Sequence, residues 1–253
     1  MIMRTTFLSI LVLSASVFPA FGQSTAFVDP FTFPSSAGTL PTDYNLDVPA
    51  RQAGGTLTST YTMTDNVGHA NNEVFLQDDH FRFGPSDVML IRTQAIDSAS
   101  QTAIDLDTDF GNIVAGRTWE IEFDAYAVRN STAVSDQWWA ISIGDVAPGG
   151  DEAGIRGPNH PSADFAILLR ADGRFTPWVD GNSLGSGKTS RTPLWGVVYH
   201  FKLIIDDLKP VPEVTAIHTV DGVETNLGTW PVTWDNTTSR FIELRAHQGG
   251  QAS

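Results

Sequence analysis

Between residues 118 and 126 apolar and acidic side chains alternate without a break. Trp119, Ile121, Phe123 and Ala125 take one set of positions, and Glu120, Glu122 and Asp124 the other. A period of two sends the first set to one face of a strand and the second to the opposite face, because successive side chains leave a pleated backbone on opposite sides. Short runs of this kind, bounded by Gly, Pro, Asn and Asp, recur along the chain, and helical periodicity is nearly absent after the first 22 residues. The clearest strands are predicted at 104–110, 118–128, 138–143, 163–170, 197–206, 214–220 and 240–246. Ala171-Asp172-Gly173 and Asp221-Gly222 read as hairpin turns, since Asp and Gly accept the positive φ that tight turns between strands require. The pattern predicts an antiparallel all-β protein.

The start of the chain differs. A short basic opening ending at Arg4 leads into an apolar stretch and then to Ala20-Phe21-Gly22. This is the pattern of a secretory signal peptide over residues 1–22, which leaves 23–253 as one domain, secreted or held at the cell surface. The apolar stretch falls short of the roughly 20 residues a membrane helix needs, so no transmembrane segment is expected in the mature chain. Residues 23–55, rich in Pro, Thr and Ser, are expected to wrap an edge of the domain. Two stretches rich in turn formers, 144–162 and 180–193, are expected to be open loops that form a binding rim.

Charge and composition narrow the chemistry. The chain carries 15 basic and 29 acidic side chains, a net charge of −14, and removal of Arg4 with the leader makes it one unit more negative. Phosphate backbones are repelled by such a surface, so nucleic acid is not an expected partner. There is no cysteine, which rules out thiol catalysis and cysteine-ligated zinc. A chain of this length can bury a core large enough to do without disulfides.

Several motifs fail on inspection. The segment ending Gly187-Lys188-Thr189 has Asn182 where a phosphate loop needs its first glycine, and Pro193 would break the helix that must follow. Asp105, Asp107 and Asp109 resemble the opening of a calcium loop, but Gly111 comes one place late and the twelfth position is Gly116 instead of a bidentate Glu. That excludes a helix-loop-helix site and leaves calcium open through some other loop; no further cofactor is implied. The six histidines show no pair at metal-binding helical spacing, and no nucleophile elbow is present.

The seven tryptophans carry more information. Trp138 and Trp139 are adjacent, so one enters the core and the other faces outward, beside Ala140, Ser142 and Gly144 if it is Trp138. Trp178 lies next to Asp180 and Asn182, a stacking surface beside hydrogen-bonding groups, which suits a sugar. Packing is the competing reading for each tryptophan. The residues expected to contact a glycan or cell-surface polysaccharide are Trp138, Trp178, Asp180, Asn182 and Arg170.

Two segments, Tyr199-His200-Phe201-Lys202-Leu203-Ile204-Ile205-Asp206 and the run 214–223 closing on Val220-Asp221-Gly222-Val223, resemble the laminin-G-like branch of the concanavalin A-like lectin/glucanase superfamily. Trp138 to Gly144 and Ala163 to Arg170 resemble its bacterial exported members. The resemblance covers roughly 100–246 and implies a jelly-roll β-sandwich of two curved antiparallel sheets, whose concave face and adjoining loops often hold glycans. Its members include lectins, adhesion modules and glycosidases, so the fold alone does not select a function. The chain ends at Ser253 without the C-terminal sorting tail and closing strand that the resemblance leads one to expect, as a C-terminally truncated chain would.

The glucanase branch places a nucleophile, a helper carboxylate and a general acid on one strand, and Glu120, Glu122 and Asp124 look similar. A retaining mechanism needs its two working carboxyl groups about 5–5.5 Å apart. Backbones four residues apart on a strand are separated by roughly 13 Å. Here the longer side chain stands in the middle and the shorter at one end, the wrong way round for closing that gap. The expected function is therefore a secreted, non-catalytic carbohydrate-binding or surface-interaction module. An endo-acting glycoside hydrolase using Glu120, Glu122 and Asp124 is the first alternative, and a structural matrix component the second.

Overall fold

The computed structural model describes residues 7–16, 24–29, 42–43, 61–65, 73–77, 88–92, 100–106, 109–111, 115–126, 137–144, 161, 163–189, 196–234 and 241–248. In chain order the strands are β1 (Phe7–Ser16), β2 (Ser24–Asp29), β3 (Thr42–Asp43), β4 (Tyr61–Asp65), β5 (Glu73–Gln77), β6 (Val88–Arg92), β7 (Ser100–Leu106), β8 (Thr118–Tyr126) and β9 (Gln137–Gly144). They continue as β10 (Phe165–Arg170), β11 (Arg174–Val179), β12 (Asn182–Ser183), β13 (Gly187–Lys188), β14 (Val198–Asp206), β15 (Glu213–Val220), β16 (Val223–Pro231) and β17 (Phe241–Gln248). All pair antiparallel, in two sheets. The first runs β16-β15-β14-β8-β1-β6-β5-β3 with β2 added on β1, and the second β12-β11-β10-β9-β17-β7-β4 with β13 added on β11. The expected all-β sandwich is what the chain forms. Among the described residues no helix is long and apolar enough to cross a membrane.

The alternation read at 118–126 is realised in β8: Trp119, Ile121, Phe123 and Ala125 are buried, and Glu120, Glu122 and Asp124 are half-buried on the other face. Its neighbour β14 repeats the pattern, with Tyr199, Phe201, Leu203 and Ile205 inward, in register with Ala125, Phe123, Ile121 and Trp119. From the second sheet Trp139, Ile141, Ile143, Phe165, Ile167 and Leu169 close the same core. The sheets meet through aromatic rings. Trp139 lies edge-on to Phe123 and to Phe201 at 5.2 Å, and its Nε1 donates to the Tyr199 hydroxyl. Edge-to-face packing of this kind adds about 0.5–1.5 kcal/mol per pair beyond the area buried.

Turn chemistry fixes which strands are neighbours. Asp221 and Gly222 both have positive φ, 50° and 75°, and join β15 to β16 in a two-residue turn. The Ala171-Asp172-Gly173 turn joins β10 to β11, with Gly173 N donating to the Arg170 carbonyl at 2.9 Å.

Some expectations change. The strand predicted at 104–110 is shifted back to Ser100–Leu106, and β16, largely exposed, is an additional strand. Residues 180–189 are not an open loop: Asp180 and Gly181, with φ of 48° and 72°, turn the chain so that β12 and then β13 fold back on β11. Gly187 is required there because a Cβ would lie 2.3 Å from the buried Phe175 ring. Of the other expected rim, 145–160 lies outside the described residues, as does Asp107. Residues 23–55 contribute β2 and, at the end of the first sheet, β3. The segment expected as a leader supplies β1, paired with β8 and, through Phe7 and Leu8, with β6.

Candidate functional site

Trp139 enters the core, so Trp138 faces outward from the second sheet, together with Ala140 and Ser142 of β9. The register carries this face across five strands. Trp138 is paired with His247 of β17 and with Arg170 of β10; Ala140 with Arg245 and Leu168; Ser142 with Glu243 and Ala166. On β11, Thr176 is paired with Leu168, and Trp178 with Ala166 and, on the far side, Ser183. Trp138, Arg170 and Trp178 thus share one sheet face, and Asp180 and Asn182 belong to the hairpin that borders it. Trp138 and Trp178 stand at diagonal corners, two strands and four residues apart, or roughly 16 Å.

Between those corners the floor is made of Ala140, Ser142, Ala166, Leu168 and Thr176, all buried, while the corner tryptophans and Arg170 are half-buried. The Ser142 hydroxyl and the Trp178 Nε1 are shielded from solvent without a hydrogen-bond partner among the described residues. Trp138 does not offer both ring faces, because one is stacked on His247 with the centroids 4.6 Å apart. Asn182 Nδ2 donates to the Asp180 carbonyl at 3.0 Å, so this side chain also holds its own turn. Arg245 is 1% exposed, with its guanidinium 2.6 Å from Glu243.

The acidic row of β8 lies on the outward face of the other sheet. Register places His200 opposite Asp124 and Lys202 opposite Glu122. Lys202 Nζ is 2.5 Å from Glu122 and 3.4 Å from Glu120, and His200 Nδ1 is 2.9 Å from Asp124. Each carboxylate therefore has a basic partner on the next strand, the arrangement of a cross-strand ion-pair ladder. Burial lowers the Lys202 pKa, but the hydrogen bond to Glu122 and the charges of Glu120 and Glu122 outweigh it and hold the ammonium above its ordinary value. The His200 imidazole is raised above 6.5, first by its hydrogen bond to Asp124, with burial opposing and the charges of Asp124 and Glu122 adding. The lysine head stands between Glu120 and Glu122, where a glycosidase needs room for the sugar.

Two titratable side chains, His218 and Tyr199, lie together inside the core. His218 of β15 is 0% exposed, and neither ring nitrogen has a hydrogen-bond partner among the described residues. Its ring lies 4.9 Å from that of Tyr199. Burial pushes the His218 pKa down to about 4 and holds the Tyr199 phenol far above its ordinary value.

Sequence reading found the tryptophans but not the side chains around them. His247, Arg245 and Glu243 reach the face because β17 pairs with β9, about a hundred residues earlier in the chain. Lys202 and His200 meet the acids through the pairing of β14 with β8, about eighty residues earlier. The local pattern contained only the alternation of β14, which marks those two side chains as outward. Among the described residues no group of three or more His, Asp or Glu side chains is placed to hold a metal ion.

No protein-family model matches the chain, and no curated protein matches it. Solved structures that resemble it include lectin II from Ulex europaeus, at 12% identity and a TM-score of 0.46 over 75% of this chain and 91% of that one. Peanut lectin gives 12% and 0.46 over 77% and 91%. An endo-1,3-beta-glucanase from Streptomyces sioyaensis gives 13% and 0.34 over 94% and 86%. At these identities and overlaps no residue of theirs is carried onto this chain.

Proposed function

We propose that the protein is an exported glycan-binding domain of the concanavalin A-like jelly-roll type, laminin-G-like in its strands, that holds its ligand without cleaving it. The observation that carries this reading is the outward face of the second sheet, where Trp138 and Trp178 border the low floor of Ala140, Ser142, Ala166, Leu168 and Thr176, and Arg170 stands beside Trp138. Aromatic side chains take the apolar faces of sugar rings, and flanking polar groups take the hydroxyls.

Hydrolysis is not part of the proposal. The Lys202 head fills the space between Glu120 and Glu122. A glycan array and a reducing-sugar assay on the bound glycans test both halves. Binding without sugar release, weakened at least about tenfold by Trp178→Ala, is the expected result. Sugar release abolished by Glu120→Gln would overturn it in favour of a glycosidase, and no binding at all would favour a matrix component.

A further inference from the structure

We infer that the Trp138 end of the second sheet's outward face takes an anionic glycan, a polysaccharide bearing carboxylate or sulfate groups, laid across the strands. The inference rests on the glycan-binding reading and narrows its ligand class. Register sets His247 beside Trp138 and Trp138 beside Arg170; a three-residue turn brings Arg174 next to Arg170, and Lys188 is paired with Arg174. These five side chains form one row over five adjacent strands. Three carry a permanent positive charge, in a chain whose net charge is −14. Arg245 stands one row behind, on the same strand as His247.

Among the described residues, two acids at this end of the face are paired with arginines of the same face. Asp172 is 2.7 Å from Arg174, and Glu243 is 2.6 Å from Arg245. Lys188 is exposed and has no ion pair among the described residues. The outward face of the first sheet is richer in acids, with Glu120, Glu122, Asp124, Asp206 and Glu213 against His200, Lys202 and Lys209.

Guanidinium and ammonium groups are donors only, so they match carboxylate and sulfate oxygens better than sugar hydroxyls. Neighbouring strands are about 4.8 Å apart, close to the rise of one unit in an extended polysaccharide, so a chain with one anionic group per sugar meets Arg170, Arg174 and Lys188 on successive strands and the Trp138 ring on the next.

The test measures binding of the purified protein to polygalacturonate, dextran sulfate, neutral dextran and an oligothymidylate. Binding to at least one of the two anionic glycans and to neither of the others is expected, and the tighter of the two identifies the anionic group. Raising the salt from about 0.1 M to about 1 M, which shrinks the Debye length from about 10 Å to about 3 Å, should weaken that binding at least about tenfold. Lys188→Glu, at an exposed position, and Arg170→Gln should each weaken it about tenfold, with the circular dichroism spectrum and urea midpoint unchanged. Binding of neutral dextran that Lys188→Glu leaves untouched would overturn the anionic assignment and spare the glycan-binding reading. Failure to bind any glycan would overturn both. Equal binding of the oligothymidylate would show a non-selective charge patch and overturn the inference.

Discussion

His200 and His218 sit on adjacent strands, one residue out of register, and face opposite sides of the same sheet. Their environments move them in opposite directions. For His218 the unfolded chain takes up a proton near pH 6.5 and the folded chain only near 4, so between those values the unfolded state binds more protons. Stability therefore falls as pH falls through that window, by up to about 3 kcal/mol once both states are protonated. His218→Leu removes the penalty along with two unpartnered nitrogens. Urea midpoints measured from pH 7 down to pH 4 should decline in the parent and stay nearly level in the variant. His200 has the opposite sign: its raised pKa contributes stability that is fully present below 6.5 and is lost as pH rises through the folded value. The effect is small because the pair is more than a third exposed. An NMR titration should show His200 moving back toward 6.5 in Asp124→Asn. The sequence marked both histidines as strand residues, but only the pairing with β8 gives His200 its acid, and only the pairing of β15 with β14 sets the Tyr199 ring beside His218.

At the scale of elements, β8, β14 and β15 were legible because alternation is local: each strand states its own buried face. The turn at Asp221-Gly222 was legible for the same reason, since two residues specify it. What the sequence did not disclose is pairing between distant strands, such as β17 between β9 and β7, which depends on the packing of the whole sheet. The 180–189 segment shows a second kind of concealment. Its Gly, Ser and Asn residues look like an open loop, yet the glycines serve a turn and a close approach to Phe175. Gly187→Ala should cost about 1–3 kcal/mol, the usual range for overpacking against a buried ring, read as a lowered urea midpoint. A midpoint unchanged within error would mean that β13 does not lie against Phe175.

At the scale of the molecule, the two sheets share one core, and the surface divides into an acid-rich face and a face with a basic row. The position of β1 makes the proposed export testable. Cleavage after Gly22 would remove the strand that links β8 to β6, and β6 must then close directly on β8. Hydrogen exchange on chains with and without residues 1–22 should find the β8 amides protected in both; rapid exchange along β8 in the shorter chain would make the leader segment a permanent part of the sheet. Trp178 is carried on a strand held by β10 on one side and by β12, turned back at Asp180, on the other. A glycan bound as proposed would meet an indole already held between two strands. Association should then run at a rate set by diffusive encounter, and differences among ligands should appear in how fast they leave.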